Sequence, residues 1–408
     1  MSHQTTDYSN EAVIKFFQDS GITWISYVCI TLEGNLHQMS ETIESLPGIL
    51  NGGLGVDGSS LGFTPTHESD VLLKPINESR CIVSYGPELE TGFILCKVVK
   101  CNGEPCGTDP LTILDEQVKR CRQLGYESTM FSELEFFLLD PETGRPVDNS
   151  GYMDIPPADT TMLYRRRLAK RCIDANINVK RLHAEVAEAQ AECEFNLMPS
   201  LKNANDTSLA MLLSRILAKE MGYIIDYDPK PLNDVNGSGL HMHVQLRDLT
   251  TNENAMSDED SKYNLGEVGR YFMGGLCKYA REICAVFGRS DSTFKRLEPG
   301  YEAPTDISWG AMNRTCLIRL PLTSPDKVRV EFRGGDASGS PHLLACAILA
   351  AGLSGVENKI APPKEAEAVG SLPVSVAECK TILETSDWLE DIFGREALDW
   401  LANPPKQH

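Results

Sequence analysis

Phe131-Ser-Glu-Leu-Glu-Phe-Phe-Leu-Leu139 is an apolar stretch with two carboxylates set into it. It sits within Ser128–Leu139, which reads as a strand, and in a strand alternate side chains leave the same face. Glu133 and Glu135 therefore share a face. Like charges on a mostly apolar strand are costly unless something positive lies beside them. A divalent cation suits that place, because hard cations choose carboxylate oxygen. A solvated edge strand explains the stretch equally well on these residues alone.

Three further segments bear on the choice. His183-Ala-Glu-Val-Ala-Glu-Ala-Gln-Ala-Glu-Cys-Glu-Phe-Asn-Leu197 supplies Glu185 and Glu192 around a turn of small residues. Asn236-Gly-Ser-Gly-Leu-His-Met-His-Val-Gln-Leu246 puts His241 and His243 on one strand face after a glycine turn. In Arg329-Val-Glu-Phe-Arg333 the residues Arg329, Glu331 and Arg333 face one way, Val330 and Phe332 the other. Each alone could be a half-exposed strand. Four such strands in one chain are hard to explain as accident.

Around these strands the chain of 408 residues reads as two domains of an α+β (α/β) protein, residues 1–105 and 106–408. The first part carries strands at Ile22–Leu32 and Thr91–Lys100, one short opening helix, and the glycine-rich loop Asn51-Gly-Gly-Leu-Gly55. A turn cluster at Gly103–Pro110 marks the boundary. Helical patterns follow at Leu111–Leu124, Thr161–Ala175 and Ser208–Gly222. A long helix within Ser257–Arg289 is entered near Tyr263, and an apolar helix spans Pro341–Lys359. The tail Pro404-Pro-Lys-Gln-His408 reads as frayed.

The net charge of −20 argues against binding nucleic acid through its phosphates. No apolar run approaches the roughly 18 residues a membrane span needs, and the start of the chain has no signal-peptide pattern. The 13 cysteines are scattered without a CxxC pair, as expected of reduced thiols in a cytoplasmic protein. Cys96, Cys101 and Cys106 are read as free cysteines on strands and a turn rather than as metal ligands.

Taken in order, these segments resemble the glutamine synthetase family, most closely its bacterial type I branch. The densest block is Phe294-Lys-Arg-Leu-Glu-Pro-Gly-Tyr-Glu-Ala-Pro304, continuing to Asn313-Arg-Thr-Cys-Leu-Ile-Arg-Leu-Pro321. Asp57-Gly-Ser-Ser60 and the Asn236 segment are also family motifs. The resemblance runs from about Asp57 to Lys359. It implies a β-grasp N-terminal domain and a catalytic domain with a curved, mainly antiparallel sheet backed by helices. It also implies an ATP-dependent ligase that joins glutamate to ammonia or a small primary amine through γ-glutamyl phosphate.

Residue by residue, the resemblance assigns Glu135, Glu185 and Glu192 to one Mg²⁺ or Mn²⁺ and Glu133, His241 and Glu331 to a second. Glu194 rivals Glu192. His243, Arg314, Arg319 and Arg329 would meet ATP, with Arg314 also serving the transferred phosphoryl group. Asn236, Gly237, Arg296 and Arg333 would hold glutamate. Glu302 would act as a flap that shields the acyl phosphate, and Asp57 would help take the proton of ammonium. In the family the Asp57 loop reaches a neighbouring subunit, which implies a ring-shaped homo-oligomer, a hexamer or a dodecamer.

The chain departs from the pattern in places. The family's Glu-Val-Ala-Pro-Gly-Gln reads Glu185-Val-Ala-Glu-Ala-Gln190, so Glu188 adds a carboxylate. Glu298 and Asp306 flank the flap where apolar residues are common. Gly334-Gly-Asp-Ala-Ser-Gly-Ser-Pro341 replaces a Pro-Ala-Ala-Asn-Pro run, and Leu111 stands where arginine is frequent. The C-terminal end is short, and no adenylylated tyrosine loop is found. These changes leave the acceptor open between ammonia or a small amine and a larger organic amine such as a polyamine or aminoalcohol. A non-catalytic structural relative is a third reading, and the full set of ligands and arginines argues against it.

Overall fold

The computed structural model describes residues 7–86 and 89–404. Of the tail 404–408, expected to fray, residues 405–408 lie outside the described residues, as do residues 1–6.

Six strands build the N-terminal sheet: β1 Trp24–Ile30, β2 Leu36–Thr42, β3 Leu54–Asp57, β4 Asp70–Pro75, β5 Cys81–Ser84 and β6 Glu90–Lys100. Their order is β2-β1-β6-β4-β3, with β5 also on β6. Only β1 and β6 run parallel; the other pairs are antiparallel. Helix α1 (Asn10–Asp19) starts where the Ser9 hydroxyl accepts the Ala12 N–H, and it buries Val13 and Phe17 against this sheet. A second short helix, α2 (Leu46–Gly52), was not expected. Its signal is Pro47 in the first turn, a position that tolerates a missing N–H.

The chain then forms α3 (Pro110–Gln123) and the long strand β7 (Tyr126–Leu139). Helix α4 (Met162–Asp174) leads to β8 (Val179–Ala184), β9 (Gln190–Phe195) and β10 (Met198–Pro199). After α5 (Ser200–Met221) come β11 (Ile224–Asp226) and β12 (Leu240–Asp248). Helices α6 (Glu267–Lys278), α7 (Ala280–Phe287) and α8 (Asp291–Arg296) precede β13 (Trp309–Ala311), β14 (Ile318–Leu320) and β15 (Val330–Phe332). Helix α9 (Pro341–Glu357) and three short helices between Val376 and Ala402 close the chain.

The nine strands β7–β15 form one curled sheet, ordered β13-β14-β15-β12-β7-β9-β8, with β10 and β11 also on β7. All its pairs are antiparallel except β13–β14. The expected mainly antiparallel sheet is therefore present. Leu134, Phe136, Phe137 and Leu138 of β7 are all buried, each contributing about 1.5–3 kcal/mol of burial. Helix α9 is apolar all round and buried along almost its whole length, packed between α3 and α6.

Two helices differ from expectation. Helix α5 begins eight residues before Ser208, at Ser200. Its first turns carry Asn203, Asn205 and Asp206, which read as loop but are buried and partnered. Asn203 accepts from Ser132 Oγ at 2.8 Å, Asn205 pairs with His342 at 2.7 Å, and Asp206 with Lys202 at 2.8 Å. The long helix within Ser257–Arg289 is really α6 and α7, broken at Tyr279, whose ring stacks on Trp388 at 4.2 Å. Tyr263 lies before both, in the left-handed region at φ 63°. Cys96 and Cys106 are buried apart from exposed Cys101.

Candidate active site

Strand register sets the polar face of the large sheet. On β7, Glu133 lies opposite His241 of β12 and Glu135 opposite Glu192 of β9. On the other edge of β12, His243 lies opposite Glu331 of β15, and Glu331 opposite Arg319 of β14. Two clusters result.

In the first, His243 Nε2 donates to Glu133 at 2.9 Å, and His241 Nδ1 stands 3.3 Å from the same carboxylate. Arg319 and Arg333 each donate to Glu331 at 2.6 Å. Burial alone would raise the Glu331 carboxyl; His243 and Arg333 outweigh it and hold it below its ordinary value. Arg329 Nε donates to His243 Nδ1 at 3.1 Å, and the imidazole stacks on Phe131 at 4.1 Å. Metal-ligating atoms of Glu133, His243 and Glu331 lie within 4.8 Å of one another.

In the second cluster, His183 reaches Glu192 at 3.3 Å and Glu185 at 3.5 Å, and these three also lie within 4.8 Å of one another. Glu135 faces them. Burial and the Glu135 charge raise Glu185 to about 7. Burial raises Glu192 to about 8; the His183 hydrogen bond opposes the rise, and the charges of Glu133, Glu135 and Glu185 add to it. Burial opposes a charge on His183, but its bond to Glu192 and the two carboxylates bring it up to about 8. This group of crowded, half-protonated acids has the donor set that a hard divalent cation takes.

A narrow cleft runs between these groups, lined by Glu135, Glu185, Glu192, Asn236, Gly237, His241, Arg296, Glu302, Arg314 and Arg333, with Gln190 and Tyr301. Arg296 is buried, with its guanidinium donating to the carbonyls of Gly334 at 2.8 Å and Arg333 at 3.0 Å. A Cβ on Gly237 would stand 2.2 Å from the Pro229 carbonyl, and one on Gly239 would stand 2.6 Å from His241 Nε2. Only glycine lets that turn close over the site. Gln190 ties the turn to β7 through Gly237 O at 3.1 Å and Glu135 at 3.4 Å.

Placement separates the expected residues. Glu194 is engaged by Lys180 at 3.0 Å and Arg181 at 2.5 Å, while Glu192 joins Glu185. The tight trio around Glu133 contains His243, which is 2.9 Å from Glu133 against 3.3 Å for His241, while both imidazoles stand 3.9 Å from Glu331. His183, Gln190 and Tyr301 were not singled out, although all three lie in quoted motifs. Asp57 is exposed at the end of β3 and outside the cleft of its own chain. Its carboxylate accepts from Ser60 Oγ at 2.6 Å and Ser59 Oγ at 2.7 Å, which hold it at about 2. Glu188, Glu298 and Asp306 are exposed and do not line the cleft.

Both parts of the chain match one class of enzyme. Residues 107–403 match the glutamine synthetase catalytic domain, and residues 21–101 match the glutamine synthetase β-grasp domain. The glutamine synthetase of Thermotoga maritima is 32% identical over 410 residues, covering 95% of this chain and 93% of that protein. That of Clostridium saccharobutylicum is 33% identical over 368 residues, covering 88% and 83%. The chain belongs to the glutamine synthetase family and is a ligase. Its fold is similar to a GmaS/ADP complex (TM-score 0.87, 23% identity, covering 98% and 94%). It is also similar to Plasmodium falciparum glutamine synthetase (TM-score 0.88, 21% identity, covering 98% and 95%). No helix among the described residues is long and apolar enough to cross a membrane.

Proposed function

We propose that this protein uses ATP to join the γ-carboxylate of glutamate to ammonia or a small primary amine. The observation that carries the reading is a cleft lined by Glu135, Glu185, Glu192, His241 and three arginines, Arg296, Arg314 and Arg333, with Glu331 bonded to Arg333 at its edge, in a chain of this family.

A carboxylate does not react with an amine in water, because oxide is a poor leaving group. Transfer of the γ-phosphoryl of ATP makes an acyl phosphate, from which phosphate leaves readily. Arg319, Arg329 and Arg314 suit the phosphoryl charge, since arginine stays ionised and offers forked donors. Arg333 and Arg296, with Asn236 and Gly237, would hold the amino-acid end of glutamate. Glu302, on a segment between Gly300 and Pro304, would exclude water and take a proton from the amine.

Mg²⁺ or Mn²⁺ would be held by Glu135, Glu185 and Glu192 and by Glu133, His241 or His243, and Glu331. When bound, these ions supply charge stabilisation to the phosphoryl oxygens. The raised carboxyls of Glu185 and Glu192 fit that occupancy.

Asp57, exposed and not among the lining of its own cleft, supports a ring-shaped homo-oligomer in which each Asp57 loop serves a neighbour; closed symmetry satisfies every such interface. The free, mostly buried cysteines support a cytoplasmic setting, and the sheet change between Lys100 and Pro110 supports a domain boundary near residue 105.

The test is phosphate release and γ-glutamyl amide formation with glutamate, ATP, Mg²⁺ and a panel of ammonia, alkylamines, diamines and aminoalcohols. Amide with ammonia or a small amine is the expected result. Preference for a polyamine or aminoalcohol would favour the larger-amine reading, and no phosphate release with any amine would sink the ligase reading.

A further inference from the structure

Segment 298–306 carries Tyr301 and Glu302 to the edge of the cleft. Glu302 is in the left-handed region at φ 56°, a conformation that costs a residue with a side chain and needs outside support. One support is Arg333 Nη2, which donates to the Glu302 carbonyl at 3.3 Å. The other is Lys230, whose ammonium stands 3.6 Å from the centre of the Tyr301 ring.

Lys230 belongs to the turn that precedes Asn236 and Gly237, and it is held firmly there. Its N–H donates to Asp228 Oδ1 at 2.8 Å and Ser292 Oγ at 3.1 Å. Its Nζ donates to the Val235 carbonyl at 2.6 Å. An ammonium has three N–H groups, so two remain after that bond. Burial holds the ammonium below its ordinary value, with Glu298 and Asp234 favouring its charge and Arg296 opposing it. The side chain is buried, so water competes little for the cation, and a cation over a tyrosine face gains most when desolvated.

We propose that Lys230 is a positioning residue that latches segment 298–306 over the cleft through the Tyr301 ring, so that ATP is spent only on the amine. The inference rests on the ligase reading above. With the latch open, water reaches the acyl phosphate. Its oxygen bonds to the γ-carbonyl carbon while the carbon–oxygen bond to phosphate breaks. Phosphate leaves with that electron pair, the proton goes to solvent and glutamate is regenerated. The net reaction is ATP plus water to ADP plus phosphate, with no amide.

The experiment uses the full chain with Mg²⁺, glutamate, ATP and ammonium chloride, and measures phosphate and amide in the same samples. Wild type should release close to one phosphate per amide, with a small amide-free excess as the baseline. Lys230→Met and Tyr301→Leu should each raise amide-free phosphate release about tenfold while the KM for ATP stays within about twofold. Lys230→Arg and Tyr301→Phe, which keep a cation and a ring, should restore coupling. The double variant should be no worse than either single one. Hydrogen exchange of 298–306 in the free protein should quicken in Lys230→Met. Full coupling in Tyr301→Leu, or additive effects in the double variant, would overturn the latch. Tyr301 lies on the cleft edge, so its variant decides the matter even if Lys230→Met misfolds. If wild type makes no amide, the ligase reading fails, and the exchange measurement still judges the latch.

Discussion

The two acid–histidine clusters lie on one face of one sheet, are made of the same residue types, and behave oppositely. Around Glu133, His243 and Glu331 the negative charge is already matched by Arg319 and Arg333, and Glu331 is held below its ordinary value. Around His183, Glu185 and Glu192 no arginine among the described residues makes such a bond, Arg314 acts on Glu185 only weakly, Glu135 adds a third carboxylate, and two acids are pushed up to about 7 and 8. The difference comes from the neighbours on the next strand. The first cluster is part of the scaffold before any ligand arrives. The second carries an excess of negative charge that burial makes costly, and that excess is what a cation would relieve.

The largest effect that could break this comparison is on stability. Glu331→Ala leaves Arg319 and Arg333 without their buried partner. It should cost roughly 3–5 kcal/mol in metal-free urea denaturation, as removal of one member of a buried ion pair does. Glu192→Ala removes a carboxylate that its surroundings disfavour, and should change metal-free stability by about 1 kcal/mol or less. Both should lower amide formation about a hundredfold or more, as should Glu135→Ala. Equal destabilisation by Glu331→Ala and Glu192→Ala would erase the distinction between the clusters.

How far the chain could be read without coordinates follows the same division. Strand β7 and helix α9 were legible because their patterns are local: alternation around Glu133 and Glu135, and a continuous apolar run after Pro341. The start of α5 was not, because Asn203, Asn205 and Asp206 look like loop residues until Ser132, His342 and Lys202 are brought beside them. The break at Tyr279 depends on Trp388, far along the chain. At the site, residue types were readable from motifs, but the partners were not. Whether His241 or His243 closes on Glu133 and Glu331, and that His183 joins Glu192, depends on cross-strand register and rotamers. That Asp57 does not line the cleft of its own chain was likewise not legible, because it depends on how the two sheets are placed.

A second test sharpens the contrast through protons. A cation can bind the second cluster only after Glu185 and Glu192 ionise, so binding must release protons. Manganese titrated by calorimetry at pH 7, in buffers of different ionisation heat, should show release of between about one and two protons per ion at that site. Apparent affinity should rise about fiftyfold between pH 6 and 7 and flatten above pH 8. Glu185→Gln should weaken binding and reduce the proton release. Affinity that does not vary with pH would mean that the carboxyls of this cluster are already ionised without metal.

The smallest effect concerns a histidine away from both clusters. His342, at the start of α9, is buried with Asn205 as its partner and, among the described residues, no carboxylate bonded to it. Burial alone brings it down to about 3, whereas His183, beside two carboxylates, is brought up to about 8. The signs for stability follow. The unfolded chain protonates His342 below pH 6.5 and the folded chain does not, so stability falls with pH through that window. His183 acts oppositely, adding stability below pH 6.5 that is lost as pH rises through 8. Between pH 7 and pH 5 the His342 contribution is about 2 kcal/mol, from about 1.4 kcal/mol per pH unit below 6.5. Glu185, Glu192 and His183, all raised, shift stability the opposite way over the same range, so the His342 contribution is read as a difference. In urea denaturation at pH 7, 6 and 5, His342→Asn should be less stable at pH 7, since it loses packing and the bond to Asn205, while its gap to wild type narrows below pH 6.5 by close to one proton. If the variant kept the full slope, the acid sensitivity would come from carboxylates elsewhere. The contrast between a histidine among carboxylates and one among neutral groups would then have no bearing on stability.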